Sequence, residues 1–231
     1  AMIGAGDNVV VSEMEHHSNL IPWQLICERK GARLRMLPFD EQGCLRTELL
    51  ESLIDGRTRM VAVTQASNTL GTRPDLRTVI DTAHVRGVKV LVDGCQGVVH
   101  GGVDVAALDC DFYAFSGHKL YGPTGIGVLY GKRELLDAMP PFLGGGDMVD
   151  RVSFEGTTYA PVPLKFEAGT ANYIGAIGLG EAVKFLSEFR PEDIEAHEHA
   201  LLERAQRALS EIDGLRIYGT CPDKCGIVSF N

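Results

Sequence analysis

Long apolar runs are missing from this 231-residue chain, and none reaches the ~18 residues a membrane-spanning helix requires. Positive charge is scarce too: 22 Lys and Arg stand against 31 Asp and Glu, for a net charge of −9. Such a chain lacks the basic footprint with which general nucleic-acid binders neutralise phosphates. The opening residues, AMIGAGDN, hold no basic segment followed by an apolar one, so no secretory signal is read there. Cysteine is sparse, with six residues (Cys27, Cys44, Cys95, Cys110, Cys221 and Cys225) spread through apolar and turn segments. In a signal-free chain of this length the expectation is reduced cytoplasmic thiols, not a disulfide framework. No G-x-G-x-x-G joins a strand to a helix, and no HExxH spacing occurs. Cys221 and Cys225 have no second cysteine pair to complete a zinc site, so their spacing reads as a turn.

What is present is an alternation of strands and helices. NVVVSE from Asn8, RLRML from Arg33, MVAVT from Met60 and VKVLVD ending at Asp93 carry strand patterns. Helical spacing separates them: Pro22 to Gly31, Leu49 to Ile54, and Asp75 as a cap for a helix ending at Gly87. Repeated βα units of this kind predict an α/β fold with a largely parallel sheet covered on both faces. After Gly131 the texture changes, and MPPFLGGGDMVD with EGTTYAPVPLKFEAGT predicts long loops or a hairpin lobe. Helices over Ile174 to Phe189 and from Pro191 to Gly214 follow, with LRIYG and GIVSF as two further strands.

Ligands of an open parallel sheet gather outside the carboxyl ends of its strands. Three such ends carry reactive side chains. Asp93 and Gln96 follow VLVD, Ser116, His118 and Lys119 follow FYAF, and Asn68 lies just past MVAVT. Asp93 and Lys119 could form a structural ion pair, and Lys-Tyr-Gly-Pro could be ordinary turn chemistry. Together the groups do more. Lysine forms a Schiff base with an aldehyde, and aspartate keeps a pyridinium nitrogen protonated. Serine and histidine donate to a phosphate, and the His16 imidazole could stack on a ring. The inventory suits pyridoxal 5′-phosphate (PLP). Glu13, Glu15, His16 and His17 are dense in ligand types, but adjacent histidines on a strand point apart and predict no metal site.

The segments SEMEHHSNLIPWQ, ASNTLGT, VLVDGCQ, DFYAFSGHKLYGPTGIGVLYG, GGGDMV and KFEAGT occur in that order. The chain resembles the cysteine desulfurase/selenocysteine lyase branch of the class V aminotransferases, and within it the SUF-type desulfurases. The resemblance spans essentially the whole chain. It implies PLP-dependent transferase fold type I, with a seven-stranded, mostly parallel sheet flanked by helices in the large domain. On this pattern residues 1–190 form the PLP domain and residues 191–231 the first elements of a smaller C-terminal domain.

By the same resemblance Lys119 matches the lysine that binds the cofactor covalently, and Asp93 the partner of the pyridine nitrogen. Gln96 matches the donor to the ring hydroxyl, His16 the histidine stacked on the ring, and Asn68 an asparagine near ring and substrate. Ser116 and His118 match phosphate contacts, and Thr170 a phosphate contact given by the other subunit of a homodimer. The implied reaction takes L-cysteine to L-alanine and passes sulfur, as a persulfide, to an acceptor protein for iron–sulfur cluster assembly in the cytoplasm. Selenocysteine lyase and class V amino transfer are neighbouring activities, and a folded, cofactor-free fragment is the alternative from another class. Family members start upstream of Ala1, with a Gly-Thr-Thr phosphate cup, and run past Asn231. There they hold the sulfur-accepting cysteine and the arginine that grips the substrate carboxylate. The expectation is therefore a central piece of such an enzyme, inactive alone, in which none of the six cysteines is the sulfur acceptor. Cys95, between Asp93 and Gln96, is the cysteine nearest the cofactor edge.

Overall fold

The computed structural model describes residues 3–231, so Ala1 and Met2 of the expected first domain lie outside the described residues. The elements in chain order are β1 (Asn8–Ser12), α1 (Ile21–Lys30), β2 (Arg33–Leu37), α2 (Leu50–Leu53), β3 (Thr58–Thr64), α3 (Leu76–Val85), β4 (Lys89–Asp93), α4 (Val105–Leu108) and β5 (Phe112–Ser116). Then come β6 (Gly127–Gly131), α5 (Arg133–Ala138), β7 (Val149–Val152), β8 (Thr157–Tyr159), α6 (Tyr173–Leu186), α7 (Pro191–Ser210), β9 (Ile217–Tyr218) and β10 (Ser229–Phe230).

The main sheet runs β2-β1-β3-β4-β5-β6. Every pairing is parallel except β5 with β6. The described residues supply six strands to it, where the resemblance implies seven for the large domain. Its central strands β1, β3 and β4 are rich in valine because both faces are covered. Val10, Val61, Val63, Val90 and Val92 pack with Leu76, Val79 and Ile80 of α3 on one side. Val9, Val11 and Ala62 meet Cys27 and Trp23 of α1 on the other. Asp75 caps α3 by accepting the Thr78 N–H at 3.1 Å, and Gly31 ends α1 in the left-handed region at φ 66°. The Gly- and Pro-rich stretch becomes the antiparallel hairpin β7–β8.

One expectation is corrected here. Cys44 and Cys221 are joined in a disulfide, leaving Cys27, Cys95, Cys110 and Cys225 as thiols. A separation of 177 residues hides the pairing from the sequence, and tertiary contact creates it. The Thr220 N–H donates to Gln42 O at 2.8 Å. Gly43 lies so close to Gly219 that an added Cβ would be 3.2 Å from its Cα. Alkylation of the denatured, unreduced protein should label those four thiols and reach six only after reduction. Six labels without reductant would contradict the bond.

Candidate active site

Register brings the reactive strand ends together. Thr64 pairs with Asp93, and Asp93 with Ala114, two residues before Ser116. Directly after Asp93 the chain must turn beneath Tyr113. A Cβ on Gly94 would lie 1.9 Å from Tyr113 Cζ, so only glycine passes there. Gly97 is similarly held, with its Cβ position 2.1 Å from the Gln65 side chain. The Gly94 N–H donates to Ala114 O at 2.8 Å and the Gln65 N–H to Asp93 O at 2.9 Å, fixing this turn to both neighbouring strands.

The Asp93 side chain is buried, and its Oδ1 accepts the Cys95 N–H at 2.9 Å. Among the described residues no Lys or Arg lies within 4 Å of it, so the structural ion pair with Lys119 does not form. Lys119 sits in the one-turn 3-10 helix Gly117–Leu120 that follows β5, half-buried, with no hydrogen bond or ion pair to protein among the described residues. That turn is anchored by the Gly117 N–H to Ile126 O and the Gly122 N–H to Gly117 O, both 2.9 Å. The Cys95 Sγ lies 3.8 Å from Ser116 Oγ. Burial first, and then the Asp93 charge, push the Cys95 thiol above its ordinary pKa. A thiol so raised supplies little thiolate at neutral pH.

A cleft of about 310 Å³ opens at this edge, lined by Asp93, Cys95, Ser116, Ser18, Asn19 and Trp23. A larger apolar hollow of about 380 Å³ lies elsewhere, against Met60, Leu91 and Phe112, with Lys30, Arg59 and Lys89 on its walls. Two of its cations are already engaged, Arg59 by Asp7 at 2.9 Å and Lys89 by Asp111 at 3.3 Å, whereas the smaller cleft holds the Asp93 carboxylate and Ser116 at neighbouring strand ends, three residues before Lys119. Chemistry belongs at the smaller one.

His16 is not on a strand. It caps the 3-10 helix His17–Asn19, with Nδ1 2.8 Å from Ser18 Oγ and its ring exposed. Glu15 turns inward instead, so the dense Glu and His run does not converge on one point. Asn68 is half-buried on the loop after β3, its Nδ2 3.3 Å from Thr69 Oγ1. Residues 225–229 brace that loop through the Cys225 N–H to Gly71 O at 2.9 Å and Ser229 Oγ to Thr69 O at 2.5 Å. Gln96 is half-buried on the turn after β4, while His118 and Thr170 are exposed. None of these three makes a side-chain hydrogen bond to protein among the described residues, and Thr170 is not brought to the Asp93 cleft by any such bond. Sequence reasoning missed the inward role of Glu15. Its signal is the spacing Ser12, Glu15, Asn19, which lets one carboxylate collect donors three and four residues away.

These features define an α/β protein with a cleft at the carboxyl edge of a mostly parallel sheet, and with a carboxylate and a lysine that have no charged partner among the described residues. The chain belongs to the aminotransferase class-V family, which it matches over residues 1–231. A cysteine desulfurase of Enterobacter sp. (strain 638) is 52% identical over 233 residues, covering 100% of this chain and 57% of the relative. One from Dickeya dadantii (strain 3937) is 55% identical over 227 residues, covering 98% and 55%. The crystal structure of the cysteine desulfurase CsdA from Escherichia coli superposes with a TM-score of 0.95 at 47% identity, covering 99% of this chain and 57% of that one. The chain thus spans a little over half the length of these relatives.

Proposed function

We propose that this chain is the cofactor-binding part of a PLP-dependent cysteine desulfurase. The observation that carries the reading is a buried carboxylate, Asp93, on the cleft at the end of β4, and a half-buried lysine, Lys119, in the turn just past the cleft residue Ser116 at the end of β5; among the described residues neither has a charged protein partner. A cationic ring nitrogen suits the first and an aldehyde carbon the second, so the residues fit PLP. Bound PLP supplies an electron-withdrawing ring that stabilises negative charge at the Cα of an attached amino acid. Lys119 Nζ would hold the aldehyde carbon and would serve as the general base for a Cα proton. Asp93 keeps the ring nitrogen protonated by placing an opposite charge against it.

By family resemblance, Gln96 donates its amide to the ring hydroxyl, His16 lays its exposed imidazole on the ring, and Asn68 stands beside ring and substrate. Ser116 and His118 donate to the phosphate. Thr170, exposed in its own subunit, does so across the two-fold axis of a homodimer. L-cysteine and an acceptor thiol become L-alanine and the acceptor's persulfide, so one sulfur moves and no external oxidant is needed. The raised thiol pKa of Cys95 disfavours it as that acceptor. Sulfur then passes to an acceptor protein for cytoplasmic iron–sulfur cluster assembly. Residues 1–190 form the PLP domain and residues 191–231 begin the smaller one. No helix among the described residues is long and apolar enough to cross a membrane. Adding PLP should produce a visible absorption band distinct from free PLP, and addition of L-cysteine should shift it. A spectrum identical to free PLP would contradict the reading.

A further inference from the structure

Glu15 is a buried carboxyl that the chemistry above leaves without a task. It is 9% exposed and collects donors from three directions. Ser12 Oγ and the Thr64 N–H (2.7 Å) meet Oε1, and Asn19 Nδ2 meets Oε2 at 2.6 Å. The Asn19 amide cannot flip freely, because its Oδ1 accepts the Trp23 indole N–H at 3.1 Å. One carboxyl therefore ties the end of β1, the end of β3, and the turn that His16 caps.

The donors differ in kind. The Thr64 N–H and the oriented Asn19 amide only donate, whereas the Ser12 hydroxyl can donate or accept. A protonated Oε1 can accordingly donate a hydrogen bond to Ser12 Oγ, which then accepts, without stranding either fixed donor. Thr64 pairs in register with Asp93, whose charge repels an ionised Glu15. Asp93 on β4 is the charged group that acts on Glu15 from the packed elements, since the groups facing it from β1, β3 and the 3-10 helix are Ser12, Thr64 and Asn19. His16 and His17 on its own turn are exposed.

We propose that Glu15 is a positioning residue, which clamps the His16 turn to the end of β3 and, by sharing a proton with Ser12, keeps a second negative charge from standing beside Asp93. The inference rests on the PLP reading for its consequence, not for the clamp itself. Burial pushes the Glu15 carboxyl up to about 7, against the pull of its hydrogen bonds. A group raised in this way stabilises the fold fully below its unfolded pKa, near 4.5, and that contribution is lost as pH rises through 7.

Three measurements test it. In the protein without PLP, the Thr64 amide proton should shift with a midpoint near 7, and in Glu15→Gln it should be flat. Glutamine keeps the size but must oppose one fixed donor with its own NH2. PLP should therefore bind Glu15→Gln about tenfold more weakly, the upper end of what one neutral hydrogen bond contributes. The bound-PLP band should change with pH between about 6 and 8 in the wild type but not in the variant. A Thr64 amide insensitive to pH in the wild type would overturn the proposal, whether or not Glu15→Gln folds. So would equal PLP affinity and an equal pH profile in the two proteins. If the wild type binds no PLP, the cofactor reading fails alone, and the Thr64 titration still decides the role of Glu15.

Discussion

Replacing Asp93 by alanine is expected to weaken PLP binding by about 10²–10³-fold, a loss of ~3–4 kcal/mol from an uncompensated charge. The carboxylate is 7% exposed and, among the described residues, has no Lys or Arg within 4 Å. Its positive partner must then come with the ligand. Without it, a protonated ring nitrogen would face the end of β4 with no counter-charge. Alanine also removes the acceptor for the Cys95 N–H, which costs folding stability only about 1 kcal/mol. Absorbance titration of wild type, Asp93→Ala and Asp93→Asn separates the two effects. Asparagine keeps an acceptor for Cys95 but not the charge, so it should bind PLP nearly as poorly as alanine. Wild-type affinity in both variants would make Asp93 a structural residue of the turn.

Gly94→Ala should destabilise the fold by about 3 kcal/mol, at the upper end of what overpacking typically costs. The new methyl would lie 1.9 Å from Tyr113 Cζ and 2.1 Å from its hydroxyl oxygen. Tyr113 cannot step aside, because it is 1% exposed and its hydroxyl donates to Gln65 Oε1 at 2.5 Å. Moving it would disturb Gln65, whose side chain also fills the space against Gly97. Urea denaturation measures the change, and a loss below about 1 kcal/mol would mean the turn after Asp93 is not locked by that ring.

Much of this was legible in the sequence because local chemistry decides it. The Val runs of β1, β3 and β4 predict strands buried on both faces, and Asp75 with Gly87 brackets α3. Asp93, Ser116 and Lys119 were placed at strand ends by the same periodicity, and the structure sets them at one edge. What stayed hidden depends on long-range contact. β6 is an antiparallel edge strand whose direction and pairing with β5 come from contact across the sheet, not from a period of its own. The Cys44–Cys221 bond arises from two turns packed together across the fold. The clamp at Glu15 needs the Thr64 N–H, 49 residues away, which spacing along the chain cannot reveal. His16 and His17 were expected to point apart on a strand, but Ser18 supplies His16 with a local partner that bends the chain into a cap.

The central claim is that Lys119 carries the cofactor. Its amine is half-buried beside β5 and free of any ion pair or hydrogen bond among the described residues, so nothing competes for it. The direct measurement is borohydride reduction of the protein after incubation with PLP, followed by peptide mapping. The account predicts one stable pyridoxyl label, on Lys119, and its disappearance in Lys119→Ala. A label on another lysine, or one that survives in Lys119→Ala, would contradict it.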